Sequence, residues 1–188
     1  MHIKMNSVKR LSFLGVFVAL AMIFSYIEFL IPSFIPVPGF KLGLSNIPVI
    51  LVLFIFGPVE AFVVGIVKVI LSALLFGNIY SFVLSFSGIV LCLLAASVFY
   101  RLDKFSVIGI SLLAGFFHNT GQIISASLLM HSFGLLKWFF VFAVLGLFTG
   151  ILTGFICKYI LTRVHNYDWI SKEDSCFCSK LHNMFTFA

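Results

Sequence analysis

Between Arg10 and Arg101 the chain carries four charged side chains, Glu28, Lys41, Glu60 and Lys68, set among long runs of Phe, Leu, Ile and Val. A water-soluble fold needs a charged surface, and about a quarter of a soluble domain's residues are charged. Here 10% are charged and 62% hydrophobic, with a mean hydropathy of +1.20. Such a chain is written for a bilayer, where each charge is costly and marks a site or an interfacial anchor. Its 188 residues leave room for one domain. The first apolar run is longer than the core of a secretory signal. No clear small-residue cleavage site follows it, and further spans do, so it is expected to stay as the first span.

The spans divide into six helices, each needing about 17–25 apolar residues to cross. They fall at about 11–31, 44–56, onward from Gly57-Pro58 to about 76, then about 80–99, 107–130 and 138–161. Pro32, Pro36, Pro38 and Gly39 end the first, and Gly77-Asn78 and His131-Ser132-Phe133-Gly134 mark turns. The second span is short and is expected to begin with an irregular or re-entrant turn around Lys41–Pro48. Lys4, Lys9, Arg10, Arg101, Lys104, Lys158 and Arg163 cluster at one set of ends, against Lys41 and Lys137 at the other. The excess of positive charge predicts an all-α bundle of six transmembrane helices with both termini cytoplasmic. Residues 1–165 form this domain in a multi-pass cell-membrane protein. Residues 166–188 form a polar cytoplasmic tail, expected to be disordered.

The net charge of +6 does not indicate nucleic acid, because the charges sit at the ends of apolar runs. Cys92 and Cys157 lie inside apolar segments and read as packing residues. Cys176 and Cys178 form a lone CxC without the second pair that a structural zinc site needs. No disulfide framework is visible, and no metal or cofactor is expected.

Catalytic motifs are absent. There is no GxxxxGK[ST] to cradle ATP phosphates, no HExxH and no GxSxG. No span carries paired aspartates. The chain reads as one that binds or conducts, not as an enzyme. Its polar groups inside spans are therefore the candidates. His118 and Gln122 are four apart on one face of span five, and Asn119 and Gln122 three apart, with Ser125 near them. Such groups either bond helix to helix or wall a pocket for a polar ligand. Lys68 lies near the middle of span three and needs a carboxylate, a carbonyl cage or an anionic ligand. Glu28 is placed to pair with Lys41 or with Lys68. Glu60 lies about 12 Å along the axis from Lys68 and is not an obvious partner. The stretch from Pro36 to Pro48 is too rich in Pro and Gly for a regular span, and it offers Lys41, Ser45 and Asn46 as donors. Lys68 and His118 sit at similar depth, roughly 13–17 Å from the cytoplasmic ends of their spans at 1.5 Å per residue. The expected ligand-binding set is Lys41, Asn46, Lys68, His118, Asn119 and Gln122.

Small residues mark where helices approach. Gly146, Gly150 and Gly154 give two consecutive GxxxG steps in span six, Gly15 and Ala19 one small step in span one, and Ala95-Ala96 a patch in span four. These faces either pack inside the bundle or, at Gly15–Ala19, dock a partner membrane protein.

Pro38-Gly39-Phe40-Lys41-Leu42-Gly43-Leu44-Ser45-Asn46-Ile47 resembles the PGxKLGLANI signature of a bacterial membrane family. That family is known as the Gx transporters or as heptaprenyl diphosphate synthase component I. Ser25-Tyr26-Ile27-Glu28, Gly57, Lys68, Phe86-Ser87-Gly88 and His118-Asn119 with Gly121-Gln122 also match it, over about residues 10–165. The family is similar to the S components of energy-coupling-factor vitamin transporters. The resemblance implies six helices, a small-molecule site near the outer face, and docking of Gly15 and Ala19 onto a transmembrane partner with an ATPase module. The other family label implies isoprenoid synthesis and a prenyl-lipid or quinone ligand. This chain lacks the DDxxD motif of prenyl synthases, so in that setting it would be an accessory membrane subunit.

Overall fold

The computed structural model describes residues 7–30, 41, 43–76, 78–102, 104–131 and 133–165. The Pro32–Gly39 stretch, Lys4, Gly77, Ser132, the CxC pair and the tail lie outside the described residues. The described residues contain no strand. Six α-helices follow in order: α1 (Ser7–Leu30), α2 (Ile47–Ile55), α3 (Pro58–Phe76), α4 (Ile79–Arg101), α5 (Val107–Leu129) and α6 (Phe139–His165). Short 3-10 turns at Leu44–Asn46 and Phe133–Trp138 precede α2 and α6.

The helix starts follow from local chemistry. Asn78 Oδ1 accepts from the Ser81 amide at 2.8 Å, and Ser106 Oγ from the Gly109 amide at 3.1 Å. Each satisfies a donor that the first turn of a helix leaves free. Between α2 and α3 the chain reverses at Gly57, with φ of 109°, and Pro58 opens α3 where its missing N–H costs nothing.

Among the described residues five helices are long and apolar enough to cross a membrane: α1, α3, α4, α5 and α6. The expected second span differs from them. With its 3-10 turn it covers Leu44–Ile55, about 18 Å at the helical rise, short of a hydrocarbon core of about 30 Å. It is also enclosed: every residue from Ile47 to Phe54 is buried, and Val49, Val52 and Leu53 have no exposed surface. A helix apolar on all sides is stable when it is buried on all sides. Its first residues meet Glu28 in the last turn of α1, while Phe56, just past its end, packs against Phe13 and Phe17 near the start of α1. Phe54 reaches Tyr100 in the last turn of α4. The chain therefore returns along α2 from one end of α1 to the other, through the centre of the bundle.

The α1 helix is held at both ends. Arg10 pairs with Glu60 in the first turn of α3, and Tyr26 and Phe29 lie 5.6 and 6.0 Å from Phe76 at the last turn of α3. Outward faces are apolar, as at Leu74, Ile79 and Phe140, each more than three-quarters exposed. A lipid-facing surface takes this form, whereas a soluble monomer rarely exposes continuous apolar patches.

The closest helix pair is α5 with α6. A Cβ built at Gly115 would lie 2.3 Å from the Gly146 carbonyl oxygen, and one at Gly150 would lie 2.7 Å from Leu112 Cα. The GxxxG face of α6 is thus turned inward onto α5, the internal-packing reading of that stripe. The Gly15–Ala19 face of α1 is exposed, with nothing within 4 Å of a Cβ at Gly15.

Candidate functional site

The site begins where the chain re-enters the bundle before α2. The Leu44–Asn46 turn presents backbone N–H groups that lack partners of their own. Glu28 supplies the acceptor: its carboxylate takes the Leu44 amide at 2.7 Å and, more loosely, the Ser45 amide at 3.4 Å. The expected attraction of Glu28 to Lys41 and Lys68 is present as charge acting on both, but the carboxylate's hydrogen bonds go to the turn. An anion suits the positive end of a helical turn, so the buried carboxylate is stabilised by fixed backbone dipoles. Gly43, just before the turn, has φ of 91°, a conformation that glycine adopts without strain. A Cβ there would also lie 3.3 Å from both Asn46 Nδ2 and His118 Cδ2, so the loop rests directly on the α5 imidazole.

Lys68, on α3, is 97% buried and donates to Asn46 Oδ1 at 2.9 Å. Lys41 reaches from the loop and donates to Ser72 Oγ at 2.7 Å. Ser72 lies one helical turn beyond Lys68, so the two ammonium groups approach the same face of α3. Both lysines are held by neutral oxygens.

On α5, His118 and Gln122 share a face as their spacing predicts. The amide Nε2 and the imidazole Nε2 lie 3.1 Å apart. If the amide donates, the ring proton belongs on Nδ1, which is turned toward α4 at Gly88; a Cβ at Gly88 would come within 2.9 Å of it. At the same level Ser87 Oγ donates to the Gly121 carbonyl at 3.2 Å, tying α4 to α5. Asn119 is turned elsewhere. Its Nδ2 donates to the Phe142 carbonyl of α6 at 3.0 Å, an interhelical bond of the kind that polar groups make in lipid. Asn119 Oδ1, Gln122 Oε1 and Ser111 Oγ are buried without a hydrogen-bond partner.

A cavity of about 10 Å³ joins these groups. Asn46, Ser111, His118, Thr149 and Thr153 supply its polar lining, and Cys92 closes one side. It has room for about one water. The structure therefore brings Asn46 and His118 together at one small space, and Lys68 is joined to it through its bond to Asn46. Lys41, Asn119 and Gln122 do not line it: Lys41 bonds Ser72, Asn119 turns to α6, and Gln122 meets the lining only through His118. Sequence reasoning missed Glu28 as the cap of the turn, Ser72 as the Lys41 partner, and the Thr149–Thr153 pair. That pair is four residues apart beside the GxxxG run, a spacing that was available as a signal. Among the described residues no three His, Cys, Asp or Glu side chains gather as a metal site requires.

Comparison with known proteins bears on this arrangement. The family model described as heptaprenyl diphosphate synthase component I matches residues 17–160, which include every residue of the site and all of the span from α2 to α5. No curated protein and no solved structure matches the chain. The chain belongs to the heptaprenyl diphosphate synthase component I family.

Proposed function

We propose that this family member is a membrane-embedded binding protein of the S-component kind. It takes a small molecule at the outer end of the bundle, over the Lys41–Asn46 loop, and passes it across the membrane with a partner that supplies energy. The observation that carries this reading is the set of costly polar groups, Lys68, Asn46, His118 and Gln122, gathered under a glycine-hinged loop with hydrogen-bonding capacity left unused. Structural glue alone would be expected to satisfy its own atoms. The cavity is too small for a metabolite as it stands, so binding in this reading requires the loop to lift from His118. Mass spectrometry of the molecule retained by gently purified protein tests the proposal. A water-soluble metabolite at near one per chain is expected. A prenyl lipid or quinone instead would favour the accessory-subunit role that the family description suggests.

In this reading the chain crosses six times, with α2 as the second crossing, and both ends are cytoplasmic. Tags at either end should then resist protease added to intact cells. Cleavage of a C-terminal tag from outside would overturn the orientation.

The exposed Gly15–Ala19 face is the proposed contact for the membrane partner. Gly15→Leu or Ala19→Leu should reduce recovery of that partner at least about fivefold and leave the fold intact, because neither position packs against the rest of the chain. Recovery at wild-type yield from both variants would dismiss this face.

A further inference from the structure

The charges at the Glu28 end of the bundle do not balance. The whole chain holds six acidic residues: Glu28, Glu60, Asp103, Asp168, Glu173 and Asp174. Glu60 is paired with Arg10 at the opposite end of α3, and Asp103, Asp168, Glu173 and Asp174 lie outside the described residues. The segment between α1 and Lys41 contains no acid at all. Among the described residues Glu28 is thus the carboxylate left for both Lys41 and Lys68: it accepts from the Leu44 and Ser45 amides, and its one negative charge faces two positive ones. Lys68 meets one neutral oxygen in a fully enclosed position, and Lys41 meets another one turn away. Two ammonium groups on one helix face in a low-dielectric setting repel each other and lack their hydration shells. A buried charge in that state is strongly disfavoured unless an opposite charge arrives.

We propose that an anionic oxygen group, a carboxylate or a phosphate, of the molecule this protein binds seats between Lys41 and Lys68. The proposal rests on the ligand-binding reading above and names the chemistry of that ligand's head. Lys41 is half-buried at the mouth, so the anion enters past it and displaces the Ser72 and Asn46 contacts with charge-assisted ones. The rest of the molecule then lies toward Gly43 and His118.

The test uses the full chain in nanodiscs of zwitterionic lipid, with its unfolding temperature followed as acetate, inorganic phosphate or inorganic pyrophosphate replaces chloride at fixed ionic strength. A saturable rise with at least one oxyanion is expected. Its half-saturating concentration should increase at least tenfold in Lys68→Gln. Asn46→Asp places a carboxylate beside the Lys68 ammonium, so it should raise the unfolding temperature without added anion and abolish the response. A second set of nanodiscs containing phosphatidylglycerol separates the sources. A Lys68-dependent rise confined to those discs assigns the anion to a lipid head group; a rise with soluble oxyanions assigns it to a free ligand. Either result supports the site. No response in either disc overturns it, as does a response equal in the wild type, Lys68→Gln and Asn46→Asp, which would be an adventitious ion only. A retained ligand that proves neutral and binds Asn46→Asp normally overturns the anion site while leaving the binding-protein reading in place.

Discussion

Gly115→Ala is expected to lose more folded protein than a methyl added at any exposed glycine of the bundle. The added carbon would fall 2.3 Å from the Gly146 carbonyl oxygen and within 3 Å of Gly150 N and Cα. All of these are backbone atoms, so no side chain can swing aside. The two helices must separate instead. Separation would also loosen Gly150 on Leu112, Gly154 on Ile108 and the Asn119 bond to Phe142, because all lie along the same contact. Overpacking of a tight interface costs about 1–3 kcal/mol. In lipid there is little hydrophobic drive to recover it, since close van der Waals contact is itself the association energy. Gly15→Ala is the control. Nothing lies within 4 Å of the added carbon, and alanine favours the helix by about 1 kcal/mol. Thermal unfolding in detergent, read by size-exclusion profile, should show Gly115→Ala aggregating at far lower temperature than the wild type and Gly15→Ala unchanged or slightly improved. Equal profiles for the two variants would mean that the α5–α6 contact does not hold the bundle together.

That glycine stripe shows what was legible in the sequence and what was not. The spacing of Gly146, Gly150 and Gly154 revealed a close-packing face, but nothing in a linear pattern names the helix it meets. The five long helices were readable to within a few residues because their apolar runs are bounded by Gly, Pro and charge. The second element was recognised as short and irregular at its start. Its place at the centre was hidden, since an apolar run has the same composition facing lipid as facing other helices. Glu28 and the two lysines were visible as costly charges. Their partners were not, because backbone N–H groups and serine hydroxyls leave no charge signature. Opposite charges pointed Glu28 to the two lysines, and its charge does act on both, but its hydrogen bonds go to the free amides of the Leu44–Asn46 turn. His118 and Gln122 met as their spacing required. Asn119, one residue along, is rotated about 100° around the helix from His118 and reaches α6 instead.

The rotation makes His118 and Asn119 unequal in a binding assay, and His118 falls with Lys68 on the binding side. Lys68→Met and His118→Leu should each lower ligand affinity or transport at least about tenfold, a loss of roughly 1.4 kcal/mol. Lys68 loses the charged donor that faces the entering ligand through Asn46, and His118 the ring on which the Gly43 loop rests. Expression should fall less, because methionine and leucine are at home in a bilayer and each removes a desolvation cost as well as a contact. Asn119→Leu should behave in the opposite way. It breaks the bond to the Phe142 carbonyl, leaves that acceptor without its side-chain donor, and so lowers folded yield while protein that does fold keeps most of its affinity. The ratio of retained ligand to folded protein, measured by native mass spectrometry for the three variants, separates binding from packing. Full retention by both Lys68→Met and His118→Leu would leave these residues as interhelical glue. Loss confined to Asn119→Leu would move the site to the α5–α6 side of the bundle.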